Sequence, residues 1–171
     1  MGKQLDIILH CYMLVSEIIE DLDQYDNIIG NGIQTYFQNY PNLEIVAEIS
    51  RYLITTAFIL NTTLIGKRKT RETDVENTHY CINEGRYISF YGFFFNDSIP
   101  VPKVLKSSST FDEVYPSTLW GGTCDSIDIL YKDIYLPSLN VGDWIQFEKM
   151  GSNRMCYYTG FNGFEKTVFP A

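Results

Sequence analysis

The stretch LEIVAEISRYLITTAFILNTTLI, residues 43–65, contains the change of pattern that decides the fold. Its first five residues, Leu43-Glu44-Ile45-Val46-Ala47, are apolar apart from one acid. That is the composition of a short strand covered on both faces, as parallel strands are. From Tyr52 onward the run turns β-branched and aromatic, the composition of antiparallel sheet. The break near Ser50 therefore separates two kinds of architecture.

Upstream, apolar residues at 5, 7, 8, 11, 14, 15, 18, 19 and 22 predict an amphipathic helix over 5–22. A weaker helical pattern uses Ile29, Ile33, Tyr36, Phe37 and Tyr40. Gly30 and Gly32 weaken it by about 1 kcal/mol each relative to alanine, and Pro41 stops it. Helix followed by buried strand is the unit of a barrel or a doubly wound sheet. One such unit cannot cover both faces of its strand, so residues 1–50 read as a remnant. Downstream, β-branched and aromatic runs at 52–65, 78–82, 87–95, 144–147 and 157–159 alternate with turn clusters such as Asn83-Glu84-Gly85 and Ser107-Ser108-Ser109. Residues 51–171 thus read as an antiparallel β-domain, barrel or sandwich, and the whole as α+β. The acidic segment 70–77, with Glu72, Asp74 and Glu76, reads as a mobile surface loop.

Composition narrows the function classes. The chain has 171 residues, 45% hydrophobic and 20% charged, which excludes a disordered acidic chain. Its 13 basic against 21 acidic residues give a net charge of −8, so no nucleic-acid or anionic-membrane partner is expected. Cys11, Cys81, Cys124 and Cys156 form no CxxC pair, and His10 and His79 add little, so no metal site is expected. Asp6, His10 and Glu17 interrupt the apolar N-terminal stretch, which has neither the length of a membrane span nor a cleavage site, and a cytoplasmic location is expected.

Three segments carry a resemblance. They are Ala47-Glu48-Ile49-Ser50-Arg51-Tyr52; Trp120-Gly121-Gly122-Thr123-Cys124-Asp125; and Leu136-Pro137 with Val141-Gly142-Asp143-Trp144, Met150-Gly151 and Phe161-Asn162-Gly163-Phe164. In order and spacing they resemble the C-terminal part of eukaryotic ornithine decarboxylase and of its non-catalytic relative, the antizyme inhibitor. The resemblance implies a pyridoxal-phosphate (PLP) enzyme of polyamine (putrescine) biosynthesis, built from a (β/α)₈ barrel and a C-terminal β-domain, with active sites shared across a head-to-tail dimer. Residues 43–47 would then be the last barrel strand, and Glu48 would stand where barrels place catalytic groups.

By the same resemblance, Glu48 would pair with the pyridine nitrogen of PLP and Arg51 would hold its phosphate. Where the family has Pro-Gly between them, this chain has Ile49-Ser50. Cys124 matches the cysteine that faces the neighbouring subunit's cofactor and directs protonation after CO₂ loss. Asp125 matches the carboxylate that receives the distal amine of the substrate, and Asp97, beside Asn96, a second substrate aspartate. Asn153 falls where the family has a tyrosine, and 161–164 matches a loop at the dimer interface. Read without the resemblance, Glu48 is a strand-end carboxylate, Arg51 an ion-pair partner, Cys124 a small buried hydrophobe and Asp125 a turn residue.

By the resemblance, the family's aldimine lysine and antizyme-binding element would fall upstream of Met1. The eight lysines at 3, 67, 69, 103, 106, 132, 149 and 166 stand outside the lysine motif. The expectation is a half-site donor that does not hold PLP by itself and does not engage antizyme, pairing with itself or with a full-length decarboxylase. An antizyme-inhibitor-like regulator and a relic β-scaffold are the alternatives.

Overall fold

The computed structural model describes residues 22–40, 53–72, 75–95, 99–105, 113–151 and 155–168. Two compact units divide the chain, residues 1–53 and 54–171. In the first, the helical pattern is realised as α1, Leu22–Phe37. It ends in a turn closed by the Tyr40 N–H on the Phe37 carbonyl at 3.0 Å. The expected helix 5–22, apart from Leu22, and the strand 43–47 lie outside the described residues, as does the serine cluster 107–109.

Among its described residues the second unit has six strands: β1 (Leu60–Glu72), β2 (Val75–Ile82), β3 (Lys103–Leu105), β4 (Tyr115–Trp120), β5 (Ile129–Leu136) and β6 (Trp144–Phe147). Their order in one sheet is β3-β6-β1-β2-β4-β5. Leu60, Thr62 and Leu64 of β1 and Thr78, Tyr80 and Ile82 of β2 turn inward at period two. β4, between β2 and β5, buries three successive residues, Ser117, Thr118 and Leu119. The core joins these to Phe90, Leu130, Leu136, Leu139, Ile145 and Phe147. Phe90 meets Phe147 edge-on at 4.9 Å between ring centroids.

Several expectations need correcting. The sheet is mixed, because β2 and β4 run parallel from Thr78↔Ser117 to Cys81↔Trp120. A parallel pair needs a long crossover, and residues 83–114 supply it. The strand read at 52–65 begins only at Leu60, after a 3₁₀ turn at Thr55–Ala57. The aromatic run 87–95 is a turn leading into a 3₁₀ segment, Tyr91–Phe95, and 157–159 follows another at Met155–Tyr157. Residues 70–72 and 75–77 of the segment read as a loop are strand, paired in register from Thr70↔Asn77 to Glu72↔Val75, with Lys69 bridged to Glu76 across the strands; 73 and 74 lie outside the described residues.

The Leu-Pro and Val-Gly-Asp-Trp motifs lock the far side of this sheet. The Tyr80 hydroxyl accepts the Leu139 N–H at 3.1 Å, and the Lys67 amine donates to the Leu139 carbonyl at 2.6 Å. Gly142, in the left-handed region at φ 94°, lets its N–H reach the Leu64 carbonyl at 2.9 Å while the Asp143 carbonyl accepts the Leu64 N–H. Among the described residues no helix is long and apolar enough to cross a membrane.

Candidate functional site: the loop after β4

β4 ends at Trp120, and the chain then loops through 121–128 before β5. The loop is organised on a buried acid that sequence reasoning missed. Asp128 is 0% exposed. Its Oδ1 accepts the Arg86 N–H at 2.8 Å, and its Oδ2 accepts the Thr123 N–H at 3.1 Å and the Thr123 hydroxyl at 2.7 Å. Three donors on one carboxylate satisfy a group that would otherwise be costly to bury. They also tie the loop to the turn after β2.

The glycines around it have a steric reason. A Cβ at Gly121 would lie 2.2 Å from Asp128 Oδ1, and one at Gly85 would lie 2.8 Å from both carboxylate oxygens. The Gly122 N–H donates to the Glu84 carbonyl at 3.1 Å, and a Cβ there would meet the Phe164 ring at 2.5 Å. Trp120 is fixed by its indole N–H on His79 Nδ1 at 3.0 Å. Each residue of Trp-Gly-Gly-Thr thus serves to place the next two, Cys124 and Asp125.

Cys124 is exposed, not the buried hydrophobe that its residue type alone suggests. Its N–H donates to Asn162 Oδ1 at 3.1 Å. Asp125 is held at both oxygens: the Tyr87 hydroxyl donates to Oδ2, and the Ile127 N–H to Oδ1 at 3.0 Å. The Tyr87 hydrogen bond first, and the Ile127 N–H second, hold the Asp125 carboxyl below its ordinary value. The same bond, with burial adding to it, pushes the Tyr87 phenol up to about 12. The Phe161 ring lies 4.5 Å from that of Tyr87, and the Thr159 N–H donates to the Tyr87 carbonyl at 3.2 Å.

The structure therefore brings together Cys124, Asp125 and the Phe-Asn-Gly-Phe motif, and adds Tyr87. Glu48, Arg51 and Asp97, with Asn153, lie outside the described residues. Neither Asp128 nor Tyr87 carries a local sequence signal, since the glycines flank Asp128 only in space and Glu84 is buried only in the fold.

The sequence matches the family model described as pyridoxal-dependent decarboxylase, C-terminal sheet domain, over residues 10–151. The chain belongs to that family. Among its relatives, the antizyme inhibitor 2 of Xenopus laevis is 33% identical over 153 residues, covering 85% of this chain and 34% of that protein. The ornithine decarboxylase of Schizosaccharomyces pombe is 35% identical over 156 residues, 85% of this chain and 35% of that protein. Among solved structures, the Paramecium bursaria Chlorella virus arginine decarboxylase bound to agmatine aligns with a TM-score of 0.74 and 33% identity, covering 93% of this chain and 41% of that one. The chain thus spans about a third of the length of these curated relatives.

The family is PLP-dependent, and the groups around Cys124 can be tested for fit to that cofactor. They are a thiol, a carboxylate kept ionised by a phenol, and aromatic rings. A carboxylate repels a phosphate and attracts an amine, so this loop does not fit the phosphate end of PLP and suits a cationic group. The described lysine amines with shown contacts are engaged elsewhere: Lys67 on Leu139, Lys69 on Glu76 and Lys103 on Glu148.

Proposed function

We propose that this chain is the sheet-domain portion of an ornithine-decarboxylase-like protein of polyamine biosynthesis, and that it lends Cys124 and Asp125 to an active site whose cofactor sits on a partner subunit's barrel. The observation that carries this reading is the pairing of an exposed thiol with a carboxylate fixed at both oxygens on one constrained loop. PLP, held by the partner, supplies the electron sink for CO₂ loss. The residues here act on the substrate side. Asp125 receives the distal ammonium of a dibasic amino acid, its charge secured by Tyr87. Cys124 presents a proton donor at the reacting carbon.

The test is co-expression with a full-length ornithine decarboxylase whose own Cys-Asp pair is replaced by alanines, with CO₂ release assayed. Rescue by the wild-type chain that disappears with Cys124→Ala supports the half-site. No rescue and no co-purification at any ratio overturns it. The antizyme inhibitor match favours a second reading, a non-catalytic regulatory subunit. That reading expects co-purification without rescue.

A further inference from the structure

The turn at 161–164 does more than close the chain against the sheet. Gly160, Asn162 and Gly163 all adopt left-handed backbone, with φ of 66°, 56° and 74°. For the two glycines this costs little, but an L side chain at Asn162 occupies a region that few residue types enter. Its side chain has a use there: Oδ1 accepts the N–H of Cys124 across 38 positions of sequence. The neighbouring Phe161 ring packs on Tyr87, which holds Asp125. Adjacent residues of one turn thus reach the two adjacent residues of the loop, one by a direct hydrogen bond and one through a phenol.

We propose that Asn162 is the positioning residue for Cys124: its amide oxygen fixes the cysteine backbone and so sets where the exposed thiol stands relative to Asp125. This rests on the half-site reading for its chemical purpose, though the geometric claim can be tested apart from it. The alternative to an acceptor role is a purely conformational one, in which Asn162 is present because asparagine tolerates left-handed backbone.

Two substitutions separate these roles. Asn162→Gly keeps the left-handed turn and removes the acceptor. Asn162→Asp keeps the acceptor and tolerates the same backbone. The measurement is amide hydrogen exchange of the full chain, read at Cys124 and, as a control, at Leu119 and Ile129. One lost hydrogen bond predicts that protection at Cys124 falls about three- to tenfold in the glycine variant. The control amides should stay unchanged, and the aspartate variant should match the wild type. An unprotected Cys124 amide in the wild type, equal protection in wild type and Asn162→Gly, loss in Asn162→Asp as large as in the glycine variant, or a parallel fall at Leu119 and Ile129 would each overturn the proposal. The same variants then enter the complementation assay. Loss of rescue with Asn162→Gly and its return with Asn162→Asp is the expected result. Absence of rescue by the wild-type chain, with the exchange pattern intact, would count against the half-site and leave the positioning role standing.

Discussion

Replacing Gly121 by alanine should be among the most damaging single-methyl changes available in the second unit. The new Cβ would lie 2.2, 2.3 and 2.4 Å from Oδ1, Oδ2 and Cγ of Asp128, more than 1 Å inside the roughly 3.4 Å of ordinary contact. Gly121 does not have positive φ, so alanine costs nothing in backbone conformation and the effect is steric. The carboxylate has nowhere to retreat. Gly85 closes its other side, and withdrawal breaks its bonds to the Arg86 N–H, the Thr123 N–H and the Thr123 hydroxyl. Bonds to a charged acceptor are worth about 1.5–3 kcal/mol each, and losing two gives a cost of about 3–6 kcal/mol. Urea unfolding followed by circular dichroism should show this as a lower midpoint at unchanged slope. Asp128→Ala should cost a similar amount by stranding three donors, whereas the double variant should cost little more than Asp128→Ala alone, because the added methyl then occupies vacated space. The predicted coupling is about 3 kcal/mol. A Gly121→Ala cost below about 1 kcal/mol, or additive single costs, would refute the steric account.

Tyr87→Phe should raise the Asp125 carboxyl from its depressed value toward the ordinary one, read from the side-chain carboxyl resonance against pH; an unmoved titration would show that the Tyr87 bond does not hold it. The sign follows at both ends. The bond stabilises the fold fully below the ordinary phenol range and is lost as pH rises through about 12; at the acid end it is lost as pH falls through the depressed Asp125 value. Burial, offset in part by the Thr167 and Ser89 hydroxyls, pushes the Glu84 carboxyl up, so its contribution to stability is complete at acid pH and declines as pH rises through that raised value. Glu84→Gln, which keeps an acceptor for Thr167, should therefore gain on the wild type in urea midpoint as pH rises from about 4 to about 7.5, and parallel pH profiles would contradict it.

What could be read in advance, and what could not, follows from where the physics is local. β6 and most of β2 were legible because β-branched and aromatic residues at 144–147 and 78–82 suit a half-buried pleated surface. The run 87–95 was not, because aromatic composition reports a half-buried surface and not a strand. Its buried residues, Ile88, Ser89, Phe90 and Phe93, break the period of two that a strand requires. The paired strand residues 70–72 and 75–77 were hidden for the opposite reason: cross-strand charges such as Lys69 and Glu76 stabilise this pairing in solvent and leave no hydrophobic record. Within the site, Cys124 and Asp125 were found through their motif. Asp128, three positions on, was overlooked, since nothing local distinguishes a buried carboxylate from an exposed one until the donors from Arg86 and Thr123 are in place.

The position of β1 in the sheet has a consequence during synthesis. One of its edges pairs with β2, which follows at once, but the other pairs with β6, and 83 residues separate Thr62 from its partner Ile145. At about 5–20 residues per second, a ribosome needs roughly 4–17 seconds to deliver that partner. Throughout that interval the hairpin carries an open edge flanked by the apolar side chains of Leu60 and Leu64, the kind of edge on which other chains add strands. Pulse-labelled nascent chains with residues 60–82 outside the ribosome and 144–147 still inside it should accordingly be the ones that recruit chaperones, and chains with 144–147 outside should release them.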